Sequence, residues 1–222
     1  MNSARSFDRL ATIYRGLEYL AFGRDLERAR FAHLDRLREQ RSILVLGEGD
    51  GRCLAQLVKA APQAQIDCLD ISPEMLARAA NRIAGTEAVA RVKFHGADLL
   101  TAPLPSDHYD AVVTFFFLDC FDSEQAESVL ARIQGSLRPG ALWLWADFEM
   151  PPRGLARWRA RAWLALLYAF FRWQTALSAR ALPPVEPWLA AGGWTPLVEC
   201  SFQHGLVRSV VFHQTQIVGR GR

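Results

Sequence analysis

Residues 44–57 read LVLGEGDGRCLAQL, and their pattern decides the fold. An apolar run ends at Leu46, glycines stand at 47, 49 and 51, and apolar residues then recur at helical spacing. The pattern predicts a strand, a glycine-rich turn and a helix N-terminus. Such a turn lets backbone approach a ligand closely, because glycine has no side chain in the way and tolerates positive φ.

Outward from this stretch the same alternation repeats. The strand-like SILVLG is followed by a helix over 52–61, the strand QIDCLD, and a helix that Ser72 caps with Pro73 at its first position. Next come the strand RVKFHG, the apolar run YDAVVTFFF, a helix over 124–137, the turn RPG and the strand ALWLWADF. Strands alternating with helices imply right-handed crossovers and a parallel sheet, and the near-continuous apolar runs suit strands buried on both faces. WTPLVECSFQ and LVRSVVFHQ, joined at His204–Gly205, predict a terminal hairpin. Helical spacing before the first strand predicts two N-terminal helices over residues 7–39, broken near Gly23, which form a helical cap over 1–40. Residues 151–191 interrupt the rhythm as a helical insertion before strand 6.

Composition bounds the function. The 222 residues, half of them hydrophobic, are enough for one well-filled domain over 1–222. Lys59 and Lys93 are the only lysines, so arginine supplies nearly all of the 26 basic residues, and the net charge is only +3. Basic residues between Arg5 and Arg41 alternate with acidic ones, as on solvated helix faces, so no nucleic-acid partner is expected. Cys53, Cys68, Cys120 and Cys200 are too scattered for a zinc site or a disulfide framework, and no metal is expected. No apolar run reaches the roughly 18 residues of a membrane span, and the first residues lack a secretory apolar segment. A cytoplasmic location is the expectation.

Spacing narrows the ligand of the glycine turn. A phosphate-cradling P-loop needs a lysine after its last glycine, and none follows here. The dinucleotide fingerprint is G-x-G-x-x-G, whereas this turn is G-x-G-x-G with Arg52 where the third glycine would fall. Asp70 ends the second strand nineteen residues after Gly51, where a carboxylate accepts hydrogen bonds from ribose hydroxyls. Asp98 ends the next strand at the same sheet edge.

In this order LVLGEGDGR, LDISPEML, HGADLL, YDAVVTFFFLD and LRPGALWLWADF resemble the class I S-adenosylmethionine-dependent methyltransferases over residues 42–148. The resemblance implies a Rossmann-like, doubly wound α/β fold, with a seven-stranded, mostly parallel sheet whose last strand is antiparallel. It implies S-adenosylmethionine as cofactor, with Gly47, Glu48, Gly49 and Gly51 at the methionine moiety and Asp70 on the ribose. Ile71 and Met75 would then pack on the nucleoside, Asp98 and Leu99 meet the adenine, and Thr114 and Phe115 line the cofactor at the fourth strand. Family members carry an acid two positions before the first glycine, where this chain has Val45. Glu48 either takes over that acid's contact with the cofactor's amino group or is a solvent-facing loop residue.

Asp119, just past the fourth strand, is a candidate to orient or deprotonate an acceptor; a helix cap or turn is its structural alternative. The apolar TFFF beside it suits a small hydrophobic acceptor. The N-terminal SFDRLATIYRGLEYLAFG resembles the opening helices of the ubiquinone and menaquinone biosynthesis methyltransferases. That likeness implies a lid containing Phe7, Tyr14 and Arg15, with Tyr14 a second candidate catalytic residue; core packing is the alternative. Residues 162–171 are apolar on every side and flanked by arginines, which calls for core or lid packing, a homodimer contact, or peripheral membrane contact through 155–173. The expected function is methyl transfer to a quinone, phenol or isoprenoid-like acceptor. An N-methyltransferase of an amine or phospholipid headgroup and a catalytically silent cofactor-binding partner are the alternatives.

Overall fold

A computed structural model describes residues 24–151, 153, 154, 157, 158, 161 and 182–214. Seven strands form one sheet: β1 (Ser42–Leu46), β2 (Gln65–Asp70), β3 (Val92–Gly96), β4 (Tyr109–Phe115), β5 (Leu137–Phe148), β6 (Trp194–Phe202) and β7 (Val207–Gln214). Their order is β3-β2-β1-β4-β5-β7-β6. Only β7 runs against the others, pairing antiparallel with both β5 and β6. The sheet is therefore the doubly wound, mostly parallel one that the sequence implies.

Strand β1 lies at the centre because its side chains leave no polar face: Ile43, Leu44, Val45 and Leu46 are all buried. Helices α1 (Asp25–Phe31), α2 (Arg52–Ala60) and α3 (Pro73–Ile83) cover one face of the sheet, where Val45, Cys68 and Val113 meet Leu54, Leu57 and Ala79. Helices α4 (Ser123–Ser136) and α5 (Val185–Ala191) cover the other, where Leu44, Val112 and Trp143 meet Val129, Ile133 and Leu189. Ser72 caps α3 by accepting from the Met75 N–H at 3.3 Å, as expected. Asp122 and Gln125 close a capping box on α4, so this helix begins one residue earlier than its apolar spacing predicts.

Two elements differ from expectation. The expected second N-terminal helix reaches only Phe31, and a 3-10 turn, Leu34–Leu37, follows it. His33 breaks the run with φ −130° and buries its ring against the Ser209 carbonyl, with Nε2 3.4 Å from the oxygen. The RPG segment is not a turn before β5 but a bulge within it. Leu137 already pairs with Tyr109, Gly140 takes φ +81°, and regular pairing resumes at Ala111 and Leu142. The expected lid residues Phe7, Tyr14 and Arg15, and most of 155–173, lie outside the described residues.

The strand order reverses between β1 and β4, since β2 and β3 extend to one side of β1 and β4 lies on the other. In sheets of this kind the crevice at the strands' C-terminal ends, at that reversal, is where ligands bind.

Candidate functional site

All three glycines after β1 have positive φ, but they do different work. Gly47 (φ +65°) donates its N–H to the Leu69 carbonyl at 3.0 Å, and a Cβ there would lie 2.4 Å from the Phe117 ring. The loops after β1 and β4 thus touch at the topological switch. Gly51 (φ +83°) is the N-cap of α2, and a Cβ would stand 2.5 Å from Ala79 Cα, so this glycine lets α2 and α3 close together. Gly49 (φ +71°) has nothing within 4 Å of its Cβ position. It is the glycine that keeps backbone open to a ligand.

Beside Gly49 stands Asp70. Its carboxylate accepts from the Gly49 N–H at 3.3 Å and the Ser72 N–H at 2.9 Å, which aims it across the mouth of the glycine loop. Burial raises its pKa and these two donors oppose the rise. Next to it Ile71 is 65% exposed, a large apolar side chain at a strand's C-terminal edge. Met75, half-buried, follows one turn along α3. An open glycine, an aimed carboxylate and an exposed apolar shelf fit the backbone, ribose and base of an adenosyl group.

Glu48 is not a solvent-facing loop residue. Its Oε1 accepts from the Leu54 N–H at 2.7 Å, giving α2 the end cap that Gly51 has no side chain to provide. Burial pushes its pKa up to about 7, against the pull of the Leu54 N–H and of Arg30. Burial raises the thiols of Cys53 and Cys68, and the charge of Glu48 adds to the rise. Cys68 pairs with Val45 in the parallel register, so Glu48 brings a carboxyl to the sheet face that Val45 occupies with an apolar side chain. Asp50 is held by Arg52 at 3.1 Å and by Arg82 at 3.4 Å, which staples the loop to α3; burial raises its pKa, but the two guanidiniums outweigh that and lower it.

The remaining expected cofactor residues are partly redistributed. Asp98 spends one carboxylate oxygen on the Leu100 N–H at 2.9 Å, closing its own turn, and Leu99 is 2% exposed within the core. Thr114 and Phe115, expected to line the cofactor, both have buried side chains. The Thr114 hydroxyl accepts from the Trp143 indole N–H at 2.8 Å, and Phe115 packs in the core beneath α2. Side chains of β4 alternate between two covered faces, so only residues beyond Phe115 reach the rim.

Beyond the strand, Phe116 has φ +52°, a strained conformation for an aromatic residue, and its N–H bonds the Ala146 carbonyl at 2.7 Å. The guanidinium of Arg30, from α1, lies 4.7 Å from the centre of the Phe116 ring and acts on both Glu48 and Asp119. Asp119 sits in the 3-10 turn Leu118–Cys120. The cap of α4 is Asp122, so the helix-cap alternative for Asp119 is filled by another residue. Burial lifts the Asp119 pKa to about 6. Asp147, near the end of β5, is 2% exposed and is raised further by burial and by the charge of Asp119.

Sequence reasoning missed Arg30 and Asp147. Arg30 is one of many arginines on a helix with charges on every turn, and Asp147 lies inside an apolar strand run. No local spacing marks either one.

Residues 43–140 match the methyltransferase domain family. The chain resembles the class I S-adenosylmethionine-dependent methyltransferases. It is 36% identical over 140 residues to a demethylmenaquinone methyltransferase of Thermus thermophilus, a match covering 61% of this chain and 60% of the relative. It is 31% identical over 159 residues to the tetracenomycin polyketide synthesis 8-O-methyl transferase TcmO of Streptomyces glaucescens, covering 71% of this chain and 44% of that protein. The chain therefore spans roughly half the length of these relatives. Among solved structures, the N-methyltransferase NodS of Bradyrhizobium japonicum in complex with S-adenosyl-l-homocysteine superposes with a TM-score of 0.60 at 17% identity. That match covers 86% of this chain and 88% of NodS, and at this identity the likeness is one of fold.

Proposed function

We propose that the chain is an S-adenosylmethionine-dependent methyltransferase whose acceptor is a small, lipophilic molecule carrying an acidic hydroxyl, such as a quinol or phenol. The observation that carries this reading is the open backbone at Gly49 beside the aimed carboxylate of Asp70 and the exposed Ile71, at the reversal of strand order. The cofactor supplies an electrophilic methyl group on a sulfonium. Gly49 and Asp70 would hold the backbone and ribose sides, and Glu48, on the face of Val45, would meet the amino group. Phe116, Phe117 and Phe121 make the acceptor side apolar, with Asp119 the carboxyl among them. The names of the two sequence relatives, one for a quinone and one for a polyketide, support an acceptor of this class.

Because transfer from a sulfonium has a good leaving group, alignment and water exclusion supply much of the rate, on the order of 7–11 kcal/mol. A base adds about 10²–10⁴-fold where the acceptor must lose a proton. Calorimetric titration with S-adenosylmethionine and S-adenosylhomocysteine tests the first half of the proposal. Micromolar binding is expected, weakened at least tenfold in Asp70→Ala because charge-assisted bonds contribute about 1.5–3 kcal/mol. No binding by the purified chain would refute it. Turnover on hydroquinones and phenols but not on amines tests the second half, and the reverse preference would transfer the chain to amine acceptors. Binding without turnover on either would make it a silent cofactor-binding protein.

A further inference from the structure

The positive charge of this chain is concentrated in one place. Residues 151–184, between β5 and α5, carry six arginines, Arg153, Arg157, Arg159, Arg161, Arg172 and Arg180, and no aspartate or glutamate, whereas the whole chain has a net charge of only +3. The remainder of the chain is therefore net negative. Glu149 and Glu186, the acids that border the stretch, both bond the Arg208 guanidinium. Within the stretch lie ten consecutive apolar residues, AWLALLYAFF at 162–171.

The start of the stretch displays this composition to solvent. Gly154, Arg157, Trp158 and Arg161 are helical and exposed, and Arg153 is exposed just ahead of them. Offsets of three, four and seven residues put the four on one side of a helix. Trp158, between the arginines, is 73% exposed, more than any other large apolar side chain among the described residues. The contacts just before it fix where this side begins. The Glu149 N–H bonds the Leu206 carbonyl at 2.8 Å, and Pro151 lies 3.8 Å from the position a Cβ would take on Gly205. Gly205 joins β6 to β7 at the end of the sheet where Phe148 closes β5, so the exposed side starts at the rim that carries the candidate site.

Arginines alone would suit a nucleic acid, but phosphate contacts make no use of an exposed indole beside ten apolar positions. An anionic bilayer uses both. Guanidiniums pair with lipid phosphates, an amphipathic indole sits at headgroup level, and apolar side chains lie just beneath it. Ten residues reach only about 15 Å even as a helix, half of the hydrocarbon thickness, so the stretch can lie in the interface but not cross it.

We propose that Arg153, Arg157, Trp158 and Arg161 form a docking face for an anionic lipid surface, which holds the rim of the sheet against the bilayer that supplies a lipophilic acceptor. The face stands on its own charge and exposure; its use rests on the reading of the chain as a methyltransferase for such an acceptor.

Co-sedimentation of the full chain with vesicles, without cofactor or acceptor, tests the face. Partition into vesicles of equal parts phosphatidylcholine and phosphatidylglycerol should exceed partition into phosphatidylcholine alone by at least about tenfold, and the excess should shrink as salt is added. The Arg153→Glu, Arg161→Glu double variant should lose the preference, and Trp158→Ala should bind both vesicles several-fold more weakly. Equal partition into the two vesicles, or none, overturns the proposal in the unmodified chain, whether or not methyl transfer is found. Tighter binding to an oligonucleotide than to the anionic vesicles overturns it in favour of a nucleic acid, and a dimer that Trp158→Ala dissociates overturns it in favour of a second copy. In turnover, the double variant should lose activity on a long-chain hydroquinone embedded in the anionic vesicles and keep it on water-soluble 1,4-dihydroxynaphthalene. Equal loss on both overturns the delivery role even if the chain binds vesicles.

Discussion

Replacing Glu48 by glutamine should stabilise the protein, increasingly as pH rises from about 4.5 to 7. In the fold this carboxyl accepts from the Leu54 N–H, a bond that the glutamine carbonyl preserves, while burial lifts its pKa from an ordinary 4.5 to about 7. The folded chain therefore retains a proton that the unfolded chain releases between those values. The cost of ionising Glu48 is absent below about pH 4.5, grows as pH rises, and is complete above pH 7. At 1.36 kcal/mol per unit the difference corresponds to about 3 kcal/mol, which partial solvent access of the carboxyl reduces to about 2 kcal/mol. Urea denaturation of both proteins at pH 4, 6 and 8 measures it. Equal stability is expected at pH 4 and about 2 kcal/mol in favour of Glu48→Gln at pH 8. Glu48→Ala separates the cap from the charge, since losing the acceptor for Leu54 should destabilise by about 1 kcal/mol at pH 4 as well. A Glu48→Gln protein less stable than the parent at pH 8 would refute the reasoning. It would mean that the α2 dipole and Arg30 more than repay the burial of the charge.

Gly51→Ala should cost about 1–3 kcal/mol of stability, seen as a lowered Tm, because the new Cβ meets Ala79 backbone at a positive φ. Gly49→Ala meets only the φ penalty of about 1–2 kcal/mol, yet should weaken S-adenosylmethionine binding in calorimetry, since its Cβ would project into the open space over Asp70. Equal Tm losses with unchanged affinity would mean both glycines serve packing. Thr114→Val leaves the Trp143 indole N–H unpaired in the core and should cost about 1–3 kcal/mol in denaturant titration with unaltered cofactor affinity. A loss of affinity at constant stability would return Thr114 to the cofactor.

The sequence by itself determined the sheet and the place of the glycine loop and Asp70 in the candidate site, because both rest on local signals. Apolar runs of strand length, caps such as Ser72–Pro73, and glycines separated from Asp70 by one crossover are all set within about thirty residues of chain. The bulge at Gly140 and the capping box at Asp122 shifted boundaries without altering the order of elements. Which of the rim residues face a ligand was a tertiary matter. Thr114 and Phe115 follow the pattern of a site but are covered by helices on both faces, and Gly51 is spent on a neighbouring helix that the motif does not mention. Asp147 becomes significant only where β5 ends level with β4, and Arg30 only where α1 crosses the loops after β1 and β4. Glu48 shows the division within one residue. Its place between two glycines is sequence, but its turn toward the N-terminus of α2, on the face of Val45, depends on a helix end left without a side-chain cap. Electrostatic partnership and burial are sums over segments distant in the chain, so they exist only once the sheet has brought those segments together.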